Sequence, residues 1–256
     1  MKWARGLKRD GTEVTGVVSD EMLHPRASLG SATVMGEAIP IDDLTLLAPV
    51  VPDKFIGLWN NFKAAAEKGG MAHPEHPLYF CKTDTSLSGP GAEVTLPTSA
   101  GRVVFEGELG IVIGKTCKDI TPEQAGDAIF GYTCINDFTS IDILFADPSF
   151  PQWTRAKSFD GFGVAGPVIE TEVDWKDLTI KVLVNERERQ SYPAADMILS
   201  PEQIVSCLSK DMTLNPGDLI ACGTSIGARP VKAGMMVDVV IEGIGSVGVT
   251  LVGPQT

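Results

Sequence analysis

Two glutamates stand two positions apart in the stretch VVFEGELGIVIGK, residues 103–115. Residues i and i+2 of a strand share a face, so the apolar pattern around Glu106 and Glu108 predicts a strand that projects two carboxylates side by side. Their repulsion and lost hydration cost energy, and something positive must compensate. Asp137 ends the apolar run FGYTCIND, where a strand passes into a loop and can aim an oxygen at a neighbouring strand's face. Two Glu and one Asp form an all-oxygen set of hard donors, which suits Mg²⁺ or Mn²⁺. The same spacing is met by a solvated face or by carboxylates paired with basic residues, so the pattern alone leaves both readings open.

The elements that must position these carboxylates are short. From Lys54 onward, apolar runs such as KFIGLW, LYFCK, GVAGPVIE, LTIKVLVNE, DLIACGT and SVGVTLVG alternate with Gly and Pro turns, which predicts a β-rich α+β chain. Two helices are expected behind identical start signals, TPEQ at Thr121 and SPEQ at Ser200: a hydroxyl N-cap, Pro at the first helical position and Gln completing a capping box. FKAAAEKGG, residues 62–70, is a third and shorter helix, closed by glycines. Residues 1–46 read as a small N-terminal β appendage with a linker, and residues 47–256 as the main domain.

Composition narrows the partners. The chain has 256 residues, is 43% hydrophobic and carries a formal charge of -12; it is long enough to bury a sizeable core. The charge argues against a nucleic-acid partner, and it means that an anionic substrate has to be drawn in by local cations. No apolar run is long enough for a membrane span, and MKWARGLKRDG lacks the apolar segment of a secretory signal, so a cytoplasmic protein is expected. The cysteines are five and scattered, without a CxxC pair, and read as reduced thiols.

An ordered series of stretches resembles the fumarylacetoacetate hydrolase superfamily: LAPVVPDKFIGL, PLYFCK, FEGELGIVIGK, FGYTCINDFTSIDI, AKSFDGFGVAGPVI, VNERERQ, MTLNPGDLIACGTSIG and IEGIGSVGV. The series runs from about residue 47 to the C-terminus. The resemblance implies a mixed β-roll catalytic domain with a few short helices, usually a homodimer, and a divalent metal held by Glu106, Glu108 and Asp137. It implies 2-oxo or enol acid substrates, often products of aromatic-ring breakdown. Lys157 matches a family lysine beside the metal, Arg155 is a second candidate cation, Thr224 resembles a threonine that holds the substrate carboxylate, and Gln190 resembles a glutamine nearby.

The sequence departs from the family at two places. Many members carry NYxxHxxE after the first core strand, and its His and Glu position or activate the attacking water. Here Ala65 stands where the His belongs, and Glu67 falls one residue short of the Glu. His76 is then the first choice for a replacement base and Glu67 the second, with His73 nearby; imidazole titrates near working pH, whereas a carboxylate needs its pKa raised. Members handling small 2-oxo acids often have Arg at the place of Ile141, so a bidentate carboxylate clamp is missing. The leading expectation is hydrolysis of a carbon–carbon bond in a β-diketo acid. Decarboxylation or tautomerisation of a 2-oxo or 2-hydroxydienoic acid is the second enzymatic reading, and a silent metal-binding protein is the third.

Overall fold

The hydroxyl–Pro–x–Gln signals start helices at both expected places. Thr121 and Ser200 each accept a hydrogen bond from the backbone N–H of the Gln three residues on, and that Gln side chain reaches back to the cap residue's N–H. The helix expected over 62–70 runs from Lys63 to Gly69, and Gly70 takes the left-handed conformation that closes it, with φ 62°. Residues 1–254 are described by the computed structural model of the chain.

The helices are α1 (Lys63–Gly69), α2 (Pro122–Ala128), α3 (Ile141–Leu144), α4 (Trp153–Lys157) and α5 (Pro201–Asp211). The strands begin with β1 (Lys2–Leu7), β2 (Glu13–Ser19), β3 (Met22–Pro25), β4 (Ile39–Pro40), β5 (Thr45–Leu46), β6 (Phe55–Trp59), β7 (Leu78–Lys82), β8 (Leu87–Ser88) and β9 (Glu93–Thr95). They continue with β10 (Val103–Val104), β11 (Gly107–Ile113), β12 (Ile129–Asp137), β13 (Thr139–Ser140) and β14 (Gly163–Glu170). The last are β15 (Thr179–Val184), β16 (Arg187–Pro193), β17 (Leu219–Ala221), β18 (Met236–Ile241) and β19 (Gly245–Val252).

A large sheet runs β4-β3-β2-β1-β14-β12-β11-β17-β6-β7, a second runs β16-β15-β18-β19-β9, and β10 pairs with β13 in a short ribbon. Most pairs are antiparallel, but β17 lies parallel to β6, β19 to β9 and β8 to β14, which makes the β-rich architecture mixed. The two larger sheets pack face to face: Leu109 and Ile111 of β11, Val182 of β15 and Val239 of β18 are all fully buried in one cluster. The opposite face of the large sheet is also covered, since Val112, Ile135 and Ile169 pack with Trp3 and Phe55. Strand β11 is therefore buried along its whole length, and it reads as a continuous apolar run rather than a half-exposed alternation.

The first 46 residues extend this sheet. Lys2 and Trp3 of β1 pair with Glu170 and Ile169 of β14, so the N-terminal strands are hydrogen-bonded into the main layer. All five cysteines are free; Cys117, Cys134 and Cys222 are buried, whereas Cys81 is exposed. Among the described residues no helix is long and apolar enough to cross a membrane.

Candidate active site

Central strands β11 and β12 bring the carboxylates together. They pair antiparallel with Gly107 opposite Asn136 and Glu108 opposite Ile135, so Glu108 enters from one strand and Asp137 from the end of its neighbour. The single strand expected across 103–115 is broken between Val104 and Gly107. Val103 and Val104 pair with Ser140 and Thr139 in a separate ribbon, and the Glu106 N–H donates to the Asn136 side-chain oxygen at 3.2 Å. Glu106 thus sits on a connection between two ribbons rather than within a strand. Ligand oxygens of Glu106, Glu108 and Asp137 nevertheless lie within 4.8 Å of one another.

Gly107 between the two glutamates has a steric reason. A Cβ there would stand 2.2 Å from Val182 Cγ2 of the opposing sheet, so only glycine lets β11 approach β15 this closely. Behind it lies a hydrogen-bond frame. Gln190 accepts from the Gly107 N–H at 3.3 Å and donates to the Thr224 hydroxyl at 2.8 Å and the Ser225 carbonyl at 3.0 Å. Thr224 donates to the Gly107 carbonyl at 3.0 Å, and the Tyr192 hydroxyl donates to the same oxygen. The Gly223 N–H donates to Glu108 Oε2 at 2.6 Å. Both N–H groups of the Gln190 amide are spent on protein, so its geometry is that of a residue that positions the Glu-Gly-Glu segment.

Two lysines supply the compensating charge. Lys157 of α4 donates to Asp137 Oδ2 at 2.7 Å and to Glu106 Oε2. Lys82, the last residue of β7, donates to Asp137 Oδ1 at 2.7 Å and to the Lys157 carbonyl; its side chain and that of Asp137 are both fully buried. Each oxygen of Asp137 therefore holds one ammonium. Burial disfavours the charged form of Lys157, but the carboxylates of Asp137, Glu106 and Glu108 outweigh it and raise its pKa. For Lys82 burial prevails over Asp137, and the nearby Lys157 adds to it, so its pKa is lowered. Burial also raises Glu106 against the pull of Lys157, and it raises Glu108 strongly, with the Asp137 charge adding to the effect.

Three carboxylates against two ammoniums leave one net negative charge in a buried place. A divalent cation turns this into one net positive charge, and the all-oxygen donor set has the chemistry to hold it. Glu106, Glu108, Asp137 and Lys157, expected to act together, are brought together. Thr224 and Gln190 lie directly behind them.

Among the described residues, no hydrogen bond or ion pair joins the other expected residues to this cluster. Arg155 is exposed on α4, two positions from the buried Lys157. Glu67 is exposed on α1, and His73 and His76 are exposed in the segment between α1 and β7. Ile141 begins α3 and is half-buried. Lys82 is the member of this charge cluster that the sequence reading missed. Its signal was phase: in LYFCK, Phe80 and Lys82 share a strand face, and both are buried, so a lysine stood in register with the core.

Known proteins match the chain over most of its length. Residues 54–252 match the family model of the fumarylacetoacetate (FAA) hydrolase C-terminal domain. The chain belongs to the fumarylacetoacetate hydrolase family. It is 40% identical over 226 residues to Protein Rv2993c of Mycobacterium tuberculosis, covering 87% of this chain and 83% of that one. It superposes along its whole length, and that of the other chain, on 5-carboxymethyl-2-hydroxymuconate delta-isomerase from Mycobacterium smegmatis, with TM-score 0.90 and 33% identity. Maleylpyruvate hydrolase from Sphingobium sp. SYK-6, solved with manganese(II) and pyruvate, is also matched over both full chains, with TM-score 0.80 and 28% identity. The family neighbours thus include both hydrolases and isomerases.

Proposed function

We propose that the chain is a divalent-metal-dependent enzyme that hydrolyses a carbon–carbon bond of a β-diketo acid of the acylpyruvate type. The observation that carries this reading is the convergence of Glu106, Glu108 and Asp137, closed by Lys157. Mg²⁺ or Mn²⁺ held by the three carboxylates would supply positive charge where an enolate develops. The manganese and pyruvate in the Sphingobium hydrolase support both the ion and the substrate class.

In the reaction, the water oxygen bonds to the distal carbonyl carbon and the adjoining carbon–carbon bond breaks. Its electron pair stays on the carbon that becomes the methyl group of pyruvate, which then takes up a proton. This chain's residues serve those steps in three ways. Lys157 offers an ammonium for the substrate's carboxylate end, Lys82 and Gln190 hold Asp137 and the Glu-Gly-Glu segment in place, and Thr224 borders the same end. The base for water is assigned to the segment over residues 62–77, with His76 first and Glu67 second.

A specific observation favours a second reading. Ala65 replaces the family His, and proton relocation in a 2-hydroxydienoic acid needs no attacking water, as the similarity to the Mycobacterium smegmatis isomerase also suggests. Decarboxylation shares that property. Incubating the protein with Mg²⁺ and acylpyruvates, oxaloacetate or hydroxymuconate-type acids separates the readings. Hydrolysis releases two acids, decarboxylation releases carbon dioxide, and isomerisation changes only the dienol absorbance. The absence of turnover across the whole panel with either metal would sink the enzymatic proposal.

A further inference from the structure

We propose that the groove between β7, the end of β6 and α4 receives the distal end of the substrate, and that this end is an aromatic group rather than a second carboxylate. The proposal deepens the reading of the carboxylate centre and rests on it. The groove has a volume of about 310 Å³ and is lined by Trp59, Pro77, Leu78, Tyr79, Phe80 and Trp153. That is at the small end of ligand pockets, suited to one ring. Trp59, Leu78 and Tyr79 are 40%, 43% and 40% exposed, so these large apolar surfaces face solvent.

The groove adjoins the centre through shared residues. The Phe80 ring lies 5.0 Å from Lys157 Nζ, and it stacks on Trp153 with centroids 5.5 Å apart and planes 11° apart. Trp153 in turn meets Trp59 at 5.6 Å. Trp153 and Lys157 are one turn apart on α4, so the helix that delivers the ammonium also delivers one wall. The other wall leads to Glu108: Asn61, two residues after Trp59, donates to the Cys222 carbonyl at 3.0 Å, and the next residue, Gly223, holds Glu108.

Charge selects the occupant. With a divalent cation the centre carries one net positive charge, which one substrate carboxylate balances. A second carboxylate in the groove would find no cation among the six lining residues, and Arg155 lies on the exposed side of α4. Ring faces and edges, by contrast, offer stacking partners.

The test is binding, followed by calorimetry in Mg²⁺. Oxalate probes the centre alone, phenylpyruvate adds a ring, and 2-oxoglutarate adds a carboxylate at similar reach. Phenylpyruvate is expected to bind at least about tenfold more tightly than 2-oxoglutarate. Trp59→Ala should lose about tenfold in phenylpyruvate affinity while oxalate stays unchanged, and Trp59→Phe should restore most of the loss. Tyr79→Ala, at an equally exposed position, provides a second variant should the first fold poorly. Equal or tighter binding of 2-oxoglutarate, or equal losses for oxalate and phenylpyruvate in Trp59→Ala, would overturn the proposal. If oxalate itself fails to bind the wild type, the carboxylate centre has been misread, a result distinct from tight oxalate with weak phenylpyruvate. A Trp59→Ala protein with half the wild-type mass in light scattering would assign the groove to a second copy of the chain instead.

Discussion

Asp137 has one ammonium on each oxygen, and removing either should show what that arrangement does. Lys82→Met would leave a fully buried carboxylate oxygen without its partner, a loss that costs about 3–5 kcal/mol in buried pairs. The variant should melt well below wild type without divalent ions, and added Mg²⁺ should raise its melting temperature more than it raises that of wild type, because the ion replaces a missing positive charge. Equal Mg²⁺ shifts in the two proteins would show that Lys82 is not part of the charge balance. Glu108→Ala removes a ligand outright; titration calorimetry should then show Mg²⁺ affinity reduced by tenfold or more, on the order of a lost contact to a charged group. Unchanged affinity would exclude Glu108 as a ligand. At this scale Glu106, Glu108, Asp137 and Lys157 were legible through the ordered stretches that carry the family resemblance, since the Glu-x-Glu spacing alone left a solvated or ion-paired face open as well, and the structure brings the four together. Lys82 was not legible, because a lysine ending a strand reads as solvated until the neighbouring carboxylate is known.

Elements fix how far those residues can move. Gly107→Ala would drive a methyl group into Val182 Cγ2, 2.2 Å from the ideal Cβ position, and overpacking of this kind costs about 1–3 kcal/mol. Because Gly107 also carries the bonds to Gln190, Thr224 and Tyr192, the variant should lose metal affinity as well as stability. A chemical melt paired with a Mg²⁺ titration checks both, and a loss of stability with affinity intact would separate the frame from the site. The starts of α2 and α5 were legible down to the residue, since capping boxes are local chemistry, whereas α3 and α4, which have no side-chain cap, gave no such signal. The break at Phe105–Glu106 was not legible, because it arises where the Asn136 side chain substitutes for a backbone partner, a contact 30 residues away in the chain. The segment from α1 to β7 carries the base assignment. His76→Ala should cost roughly a hundredfold in kcat with metal affinity preserved, and Glu67→Gln should cost less. Full turnover in both variants would place the chemistry on the metal, Lys157 and bound water, and would favour decarboxylation.

At the scale of the whole molecule, the pairing of β1 with β14 makes the N-terminal strands part of the sheet that carries β11 and β12, although the sequence there shows only short pieces broken by Gly and Pro. Strand pairing between distant segments is set by the assembled sheet and leaves little local trace. Assembly beyond one chain follows the same logic. The family resemblance implies a homodimer, and large apolar side chains remain at the surface: Phe145 and Phe150, in the connection between α3 and α4, are 64% and 66% exposed. Two copies with a formal charge of -12 each repel one another, so association requires apolar contact strong enough to overcome that repulsion, and salt should help by screening it. Light scattering at physiological ionic strength should therefore give about twice the chain's 27.2 kDa, with dissociation favoured on dilution at low salt. Replacing Phe145 and Phe150 together by Asp should shift the protein to monomer while leaving oxalate binding in Mg²⁺ unchanged, since both side chains are exposed and the oxygen ligands come from other residues. A wild-type monomer at micromolar concentration would remove the dimer from the account, and a dimer indifferent to the double substitution would move the interface to another face.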